Sequence, residues 1–196
     1  MLISGRGSNL RAIVEAIERG ELEASVGVAV CNRAAAAGLR WAQDVGLRTS
    51  LLTRADLPDK AKRQAAMQVV LEAAGVELVV LAGFDEILVD SFVAAFRGRI
   101  INIHPSLLPA FAGSMRAVEA AYDHGVKISG CTVHFVTNEV DGGPIIVQRA
   151  VEVREIDTAE TLAERILAEE HLALPEAIRL IAAGRVRIEG RRVRIV

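Results

Sequence analysis

Short apolar runs alternate with stretches of helical periodicity over the first hundred residues. Leu10, Ile13 and Ile17 recur at three- or four-residue spacing, which is typical of one buried helix face. Residues 78–81 form a continuous run of leucine and valine, which suits a strand buried on both faces. This alternation predicts an α/β fold with a mostly parallel, twisted sheet and helices on both faces.

The other element boundaries follow from the same periodicities and from turn residues. We expect helices at 34–45, 60–74, 87–96, 115–123 and 157–183, strands at 26–31, 48–52, 77–82, 100–103, 130–136 and 144–153, and a terminal hairpin of 186–189 with 192–195. The strands at 130–136 and 144–153 follow each other directly. We therefore expect antiparallel strands towards the C-terminal part of the sheet.

Three local details can also be predicted. Ser8 or Asn9 is expected to cap the first helix. Asp157 is expected to cap the last helix, which should bend near Pro175. The first strand, residues 1–3, is shorter than the usual length of about 5–6 residues, so we expect that a few apolar residues are missing upstream.

Composition narrows the class of protein. The chain has 196 residues, 52% hydrophobic and 24% charged, which suits a single domain spanning 1–196. Its formal net charge of -2 gives no general electrostatic reason to bind nucleic acid or an anionic membrane. No apolar stretch approaches the roughly 20 residues that span a bilayer. Cys31 and Cys131 lie in apolar runs, which predicts two buried thiols and a cytoplasmic location.

A glycine-rich turn, residues 4–9, joins the first strand to the first helix. Glycines permit close backbone approach to a ligand, and the free N–H groups that open a helix attract anions. The turn has neither the third glycine of a dinucleotide fingerprint nor the lysine of a P-loop. Two interpretations remain open, a phosphate site and an ordinary capped turn.

A second candidate site follows the predicted strand at 100–103. Asn102 and His104 are two residues apart, so their side chains share one face at a carboxyl strand end, where α/β proteins bind ligands. Both can donate to a developing oxyanion, and Asp141 can orient the imidazole and favour its protonated form. This trio suits attack on a carbonyl without a covalent enzyme intermediate. The alternative is a loop-capping histidine and a turn aspartate.

The other histidines give weaker signals. His134 alternates with Thr132 inside a strand and is expected to be a core histidine. His124 is expected at a helix end and His171 within a helix. No histidines or cysteines have metal-ligand spacing, so no metal site is expected.

Several segments together resemble the phosphoribosylglycinamide formyltransferases, within the folate-dependent formyltransferase family. The matching segments are 3–9, 79–84, 102–109, 130–136, 141–146 and 170–171, in family order over nearly the whole chain. The resemblance implies a Rossmann-like formyltransferase domain, with a nucleotide-binding half at 1–100 and the catalytic and folate elements in 101–196. It implies transfer of a formyl group from 10-formyltetrahydrofolate, the co-substrate, to glycinamide ribonucleotide in purine biosynthesis. It implies no metal, and a monomer or homodimer.

The resemblance also implies residue roles. Asn102, His104 and Asp141 match the catalytic residues. Positions matching the ribonucleotide site are Gly7, Ser8, Asn9, Leu167, Ala168, Glu169 and Glu170, with Glu170 the expected direct contact. Positions matching the folate site are Lys60, Asp85, Glu86, Ile87, Leu88, Asn102, Thr137, Asn138, Glu139, Val140 and Asp141.

Two segments depart from the family pattern. Asp85 and Glu86 replace a Met-Arg pair, which should weaken contact with an anionic folate tail or phosphate. Residues 113–117 replace a Gly-x-x-Ala-His-like segment, and Arg116 is the candidate for a compensating charge.

Three other functions are alternatives for this chain. A 10-formyltetrahydrofolate hydrolase would need no phosphate site, and a tRNA formyltransferase usually carries an additional RNA-binding domain. A non-catalytic nucleotide-binding module would bind at the glycine turn without formyl transfer.

Overall fold

The computed structural model describes residues 1–196 and contains a seven-stranded sheet and six helices. In chain order the elements are β1 (Leu2–Ile3), α1 (Ser8–Glu18), β2 (Ala29–Cys31), α2 (Ala37–Asp44), β3 (Thr49–Leu51), α3 (Lys60–Ala73), β4 (Val79–Leu81), α4 (Asp90–Ala95), β5 (Ile100–His104), α5 (Ala117–His124), β6 (Ile128–Phe135), β7 (Ile145–Glu152), α6 (Ala159–Ala182), β8 (Val186–Glu189) and β9 (Arg192–Ile195). No helix is both long and apolar enough to span a membrane.

The large sheet has the strand order β3-β2-β1-β4-β5-β6-β7. Its first five strands are parallel, and β6 and β7 are antiparallel to their neighbours. The predicted fold class, a mostly parallel sheet with antiparallel strands towards the C-terminal part, is therefore confirmed. Strands β8 and β9 form the predicted separate hairpin.

Helices cover both faces of the sheet because alternate strand residues point to opposite sides. One apolar cluster includes Ile3, Leu10 and Ile166 and joins the strands to α1 and α6. The other includes Leu2 and Met67 and joins them to α3 and α4. Both cysteines are buried and free, as their apolar surroundings predict.

Strand β1 pairs with β2 on one side and β4 on the other, so the direction of chain winding reverses there. Ligands of open α/β sheets bind at the carboxyl ends of strands beside such a reversal. The turn after β1 meets the segment after β4 at this edge, where the backbone N–H of Ser4 donates to the carbonyl of Gly83 at 3.1 Å. Because β5 is the next strand, the Asn102–His104 region ends at the same edge.

Several predicted boundaries are wrong for identifiable reasons. The helix expected from 87 begins at Asp90, because Gln64 holds the preceding segment extended: its amide donates to the Ile87 carbonyl and accepts from the Val89 N–H. The helices expected from 34 and 115 begin at 37 and 117. Strand β6 begins two residues earlier than expected.

The predicted caps are also wrong. Gly7 occupies the N-cap of α1 without a side-chain cap. Thr158, not Asp157, caps α6 through a reciprocal pair of hydrogen bonds with Thr161. Asp157 instead accepts from the backbone N–H of Arg154 at 2.7 Å. Helix α6 runs through Pro175 without interruption.

Candidate active site

Asn102 and His104 lie at the carboxyl end of β5, and β6 places two further polar residues directly opposite them. Asn102 is paired in register with His134, and His104 with Thr132. The Nδ2 atom of Asn102 lies 3.3 Å from Nε2 of His134. The antiparallel register therefore builds a polar cluster from two residues on each of two strands.

Asp141 joins this cluster from the loop between β6 and β7. One carboxylate oxygen lies 3.3 Å from Nδ1 of His104, and the other lies 3.5 Å from Nε2 of His134. Asp141 adopts φ 53, a left-handed conformation that aspartate tolerates better than most residues. The nearby Gly143 cannot be replaced without movement, because a Cβ there would lie 1.7 Å from the carbonyl oxygen of Phe135.

Charge in the cluster is set by a balance of burial and hydrogen bonding. Burial acts to raise the pKa of Asp141, but the adjacent His134 ring and the hydrogen bond from the Gly113 N–H outweigh it and hold the pKa below its usual range. Burial lowers the pKa of His104, and the opposing effect of Asp141 does not overcome it. The expectation that Asp141 favours the protonated ring is correct in direction, but burial has the larger effect.

Both ring nitrogens of His104 face oxygen atoms. Nδ1 faces Asp141, and Nε2 lies 3.1 Å from the carbonyl oxygen of Phe111. Only the imidazolium can donate to both, so the neutral ring leaves one of these contacts without a hydrogen. Phe111 has φ 57, which a bulky residue adopts only under constraint. Burial therefore favours the neutral ring of His104, whereas the two oxygen atoms beside it favour the protonated ring.

A buried hydrogen-bond network supports the loop that follows His104. The Thr132 hydroxyl donates to the Ser106 carbonyl at 2.7 Å and accepts from the Leu108 N–H at 3.0 Å. Gln148 on β7 donates to the Leu108 carbonyl at 3.0 Å. The loop therefore has a fixed path beside the cluster.

Two cavities meet at this edge of the sheet. The larger has a volume of about 800 Å³ and contains the Asn102, His104, His134 and Asp141 cluster. The smaller has a volume of about 380 Å³ and lies over the glycine turn and α6. Gly83, Pro105 and Met115 line both cavities. Two molecules bound in the two cavities would therefore meet beside the end of β5.

The glycine turn lines the smaller cavity and packs closely against α2. Gly7 has φ 74, and a Cβ there would lie 2.6 Å from the Cα of Gly38 on α2. The Asn9 side chain does not cap α1. It donates instead to the carboxylate of Glu170 at 2.8 Å. Burial raises the pKa of Glu170 despite this hydrogen bond.

The sequence profile of the formyl transferase family matches residues 1–178. The chain belongs to the formyl transferase family.

Individual relatives agree with this membership. The chain is 36% identical over 188 residues to a phosphoribosylglycinamide formyltransferase of Escherichia coli, covering 96% of this chain and 88% of that protein. It is 44% identical over 188 residues to the trifunctional purine biosynthetic protein adenosine-3 of Bos taurus, covering 96% of this chain but only 18% of that protein. The crystal structure of glycinamide ribonucleotide transformylase 1 from Symbiobacterium toebii superposes with a TM-score of 0.96 at 51% identity, covering 100% of this chain and 92% of that one.

The structure brings together most of the residues to which the formyltransferase resemblance assigned roles. All of the positions matched to the folate site line the larger cavity. Of those matched to the ribonucleotide site, Gly7, Ser8, Asn9, Leu167 and Glu170 line the smaller cavity. Ala168 is exposed and lines neither cavity, and Glu169 pairs instead with Arg149 at 3.2 Å.

Asp85 and Glu86, the acidic pair that departs from the family pattern, are both paired with arginines. Glu86 is paired with Arg63 and Arg54, each at 2.9 Å, and Arg63 and Glu86 are both 3% exposed in their side chains. Asp85 is paired with Arg33 and accepts from Asn32 at 2.8 Å. Both carboxylates therefore have arginine partners, and the weakened contact with an anionic folate tail or phosphate stays a prediction.

The cations that compensate Asp85 and Glu86 do not include Arg116, the residue expected from the sequence. Arg116 pairs with Glu119 at 3.5 Å and does not line the larger cavity. We call the group of Asp85, Glu86, Arg33, Arg54, Arg63 and Asn32 the acid–arginine network. Burial acts to raise the pKa of both carboxyls, and these hydrogen bonds keep both pKa values below their usual ranges.

His134 is the main residue that sequence reasoning placed elsewhere. It is 2% exposed, as a core histidine should be, but its Nε2 contacts both Asn102 and Asp141. Its Nδ1 lies 2.9 Å from the Phe135 carbonyl, so the neutral ring carries its proton on Nδ1 and accepts from Asn102 at Nε2. The sequence signal for these contacts is a second pair of polar residues at i, i+2 spacing, Thr132 and His134, on β6. No group of three or more His, Cys, Asp or Glu side chains is placed to hold a metal ion.

Proposed function

We propose that this chain transfers a formyl group from 10-formyltetrahydrofolate to the amine of glycinamide ribonucleotide, a step of purine biosynthesis. The observation that carries the proposal is the junction of the two cavities beside Asn102 and His104. One cavity has the backbone geometry of an anion site, and the other contains the carbonyl-activating cluster. Named relatives with this activity align over most of their own length.

Each substrate has a cavity of suitable chemistry. The phosphate of the ribonucleotide binds at Gly7, Ser8 and Asn9, where α1 begins without a side-chain cap. Glu170 accepts from the sugar, and Leu167 packs beside it. The folate occupies the larger cavity, whose volume of about 800 Å³ is within the range of small-molecule sites. Its pterin ring lies against the segments 85–88 and 137–141.

The reaction is a direct transfer without a covalent enzyme intermediate. The substrate amine attacks the formyl carbon, and the carbonyl oxygen becomes an oxyanion. Asn102 donates one amide N–H to this oxygen and keeps the other on His134. His104 donates from Nε2, so the oxyanion takes the place of the Phe111 carbonyl. A donor aimed at such an oxyanion is worth roughly 10²–10³ in rate.

Proton balance requires one transfer. The attacking nitrogen loses one proton, and N10 of the folate gains one when its bond to the formyl carbon breaks. Asp141 orients His104 and keeps a negative charge beside the ring, so His104 can hold the proton between the two steps. Water can complete the relay.

Residues 1–196 act as one catalytic unit, because each cavity is lined by residues from both halves of the chain. The two buried free thiols suit a reducing compartment, so we place the reaction in the cytoplasm. The expected partners are the two substrates alone, with the chain acting as a monomer or homodimer.

A spectrophotometric assay tests the function directly. 10-Formyltetrahydrofolate is consumed only when glycinamide ribonucleotide is present, and formylated ribonucleotide accumulates in equal amount. Folate consumption without the amine, with release of formate, identifies a hydrolase. Binding of the ribonucleotide without any folate turnover identifies a binding module.

A further inference from the structure

The smaller cavity has an unusual balance of charge for a site that accepts a phosphate. Three carboxylates line it, those of Glu119, Glu160 and Glu170, and Arg6 is the only lysine or arginine among its lining residues. Arg116 pairs with Glu119 at 3.5 Å from outside the cavity. A phosphomonoester carries about -1.5 to -2 charges near neutral pH, so the carboxylates repel it. Backbone N–H groups supply only partial charge against this repulsion.

A second observation concerns a buried acceptor in the cavity wall. The Oδ1 atom of Asn9 has no hydrogen-bond partner, although Asn9 is only 6% exposed and lines the cavity. Its amide nitrogen is held by Glu170 at 2.8 Å, which fixes the orientation of the oxygen. A buried acceptor without a donor is costly, and a sugar hydroxyl or amide N–H would satisfy it. A phosphate oxygen cannot, because it offers no hydrogen.

The two observations divide the cavity by chemistry. Asn9 and Glu170 present acceptors, which suit the hydroxyl groups of a sugar. The uncapped start of α1 and the Arg6 side chain present donors and positive charge, which suit the phosphate. Arg6 is exposed and belongs to none of the ion pairs in the structure, so its guanidinium is available.

We propose that Arg6 is a specificity-determining residue, which binds the phosphate of the amine substrate and selects a phosphorylated sugar over its unphosphorylated analogue. The inference rests on the proposed function for the identity of the full substrate. It requires only that the smaller cavity binds a sugar phosphate. The planar guanidinium can bind two phosphate oxygens at once, which a lysine cannot do.

Direct binding of ribose 5-phosphate, measured by calorimetry at fixed ionic strength, tests the inference. Arg6→Gln should weaken binding roughly 10- to 100-fold, the usual effect of losing a hydrogen bond to a charged group. Arg6→Lys should recover part of the affinity. Arg11→Gln is the matched control, because Arg11 stacks over Trp41 at 5.1 Å and does not line the cavity.

A kinetic comparison adds a second readout. The ratio of kcat/KM for glycinamide ribonucleotide to that for the unphosphorylated riboside should fall in Arg6→Gln by the same factor as the binding. Unchanged affinity in Arg6→Gln, or an equal loss in Arg11→Gln, overturns the inference. So does the absence of ribose 5-phosphate binding to the unmodified chain. If the chain binds ribose 5-phosphate through Arg6 but transfers no formyl group, the proposed function fails and the inference on Arg6 stands.

Discussion

Two groups of polar side chains at the larger cavity differ in how far their charges and hydrogen bonds are satisfied within the protein. In the polar cluster of Asn102, His104, His134 and Asp141, one carboxylate lies beside two imidazoles, and the His104 ring faces one more oxygen than its neutral form can satisfy. In the acid–arginine network, two carboxylates are met by three guanidinium groups. The first arrangement leaves hydrogen-bonding capacity that a reacting substrate can use. The second is largely satisfied internally and is suited to holding a wall in place.

The largest effect should come from breaking the buried part of the acid–arginine network. Arg63→Met leaves the 3%-exposed carboxylate of Glu86 with only the exposed Arg54 as an ion-pair partner, and the loss of the buried partner should cost up to about 3–5 kcal/mol of the free energy of unfolding. Urea denaturation measures the change. Arg19→Met is the matched control, because the ion pair of Arg19 with Glu21 is exposed and should contribute little.

A double variant separates two explanations for that loss. Arg63→Met combined with Glu86→Leu removes both charges and should recover much of the stability, because the uncompensated buried charge is gone. If Arg63→Met is no more destabilising than Arg19→Met, the network is not a structural support.

Next in size is the catalytic effect of His104. His104→Ala should lower kcat for formyl transfer by roughly 10²–10³, the effect of losing one oxyanion donor. Its unfolding free energy and its affinity for ribose 5-phosphate serve as controls, since the smaller cavity is not altered. Full activity in this variant would falsify the assignment of the cluster.

His134 should have a smaller effect, and its test is whether it acts through Asn102. His134→Leu removes the Nε2 acceptor that holds the Asn102 amide, which should lower kcat about tenfold, the size of one hydrogen bond. In an Asn102→Ala background the same change should have almost no further effect, because coupled residues are not additive. Equal losses in both backgrounds would mean that His134 has only a packing role.

How much of this could be predicted from the sequence depends on how far apart the interacting residues lie in the chain. Asn102 and His104 share one strand end, so alternation alone places them together, and the parallel sheet follows from local periodicity. The Arg63–Glu86 pair joins α3 to the segment after β4, and no local pattern links those two positions. The start predicted for the 87–96 helix was wrong for the same reason, because Gln64 on α3 holds its first residues extended.

The site shows the same limit. His134 needed the register of β5 with β6 before its contact with Asn102 became visible. Asp85 and Glu86 were correctly placed at the larger cavity, but the arginines that compensate their charge lie up to 52 positions away in the chain, and no local pattern links them. Sequence therefore located the groups, and tertiary packing decided their electrostatics.

The finest test concerns the proton on His104. Burial lowers the pKa of this ring, and the Asp141 carboxylate acts in the opposite direction because it favours the imidazolium. Asp141→Asn removes that opposing charge, so the pKa of His104 should fall further below its ordinary value. An NMR titration of the imidazole in the two proteins measures the shift.

The same pKa shift makes the stability of the protein depend on pH. Because the pKa of His104 is lower in the folded state than in the unfolded state, the stability is complete above the unfolded pKa and is lost as pH falls below it. In Asp141→Asn, the free energy of unfolding that is lost through protonation of His104 between neutral and mildly acidic pH should therefore be larger. A rise in the His104 pKa would contradict the proposed pairing.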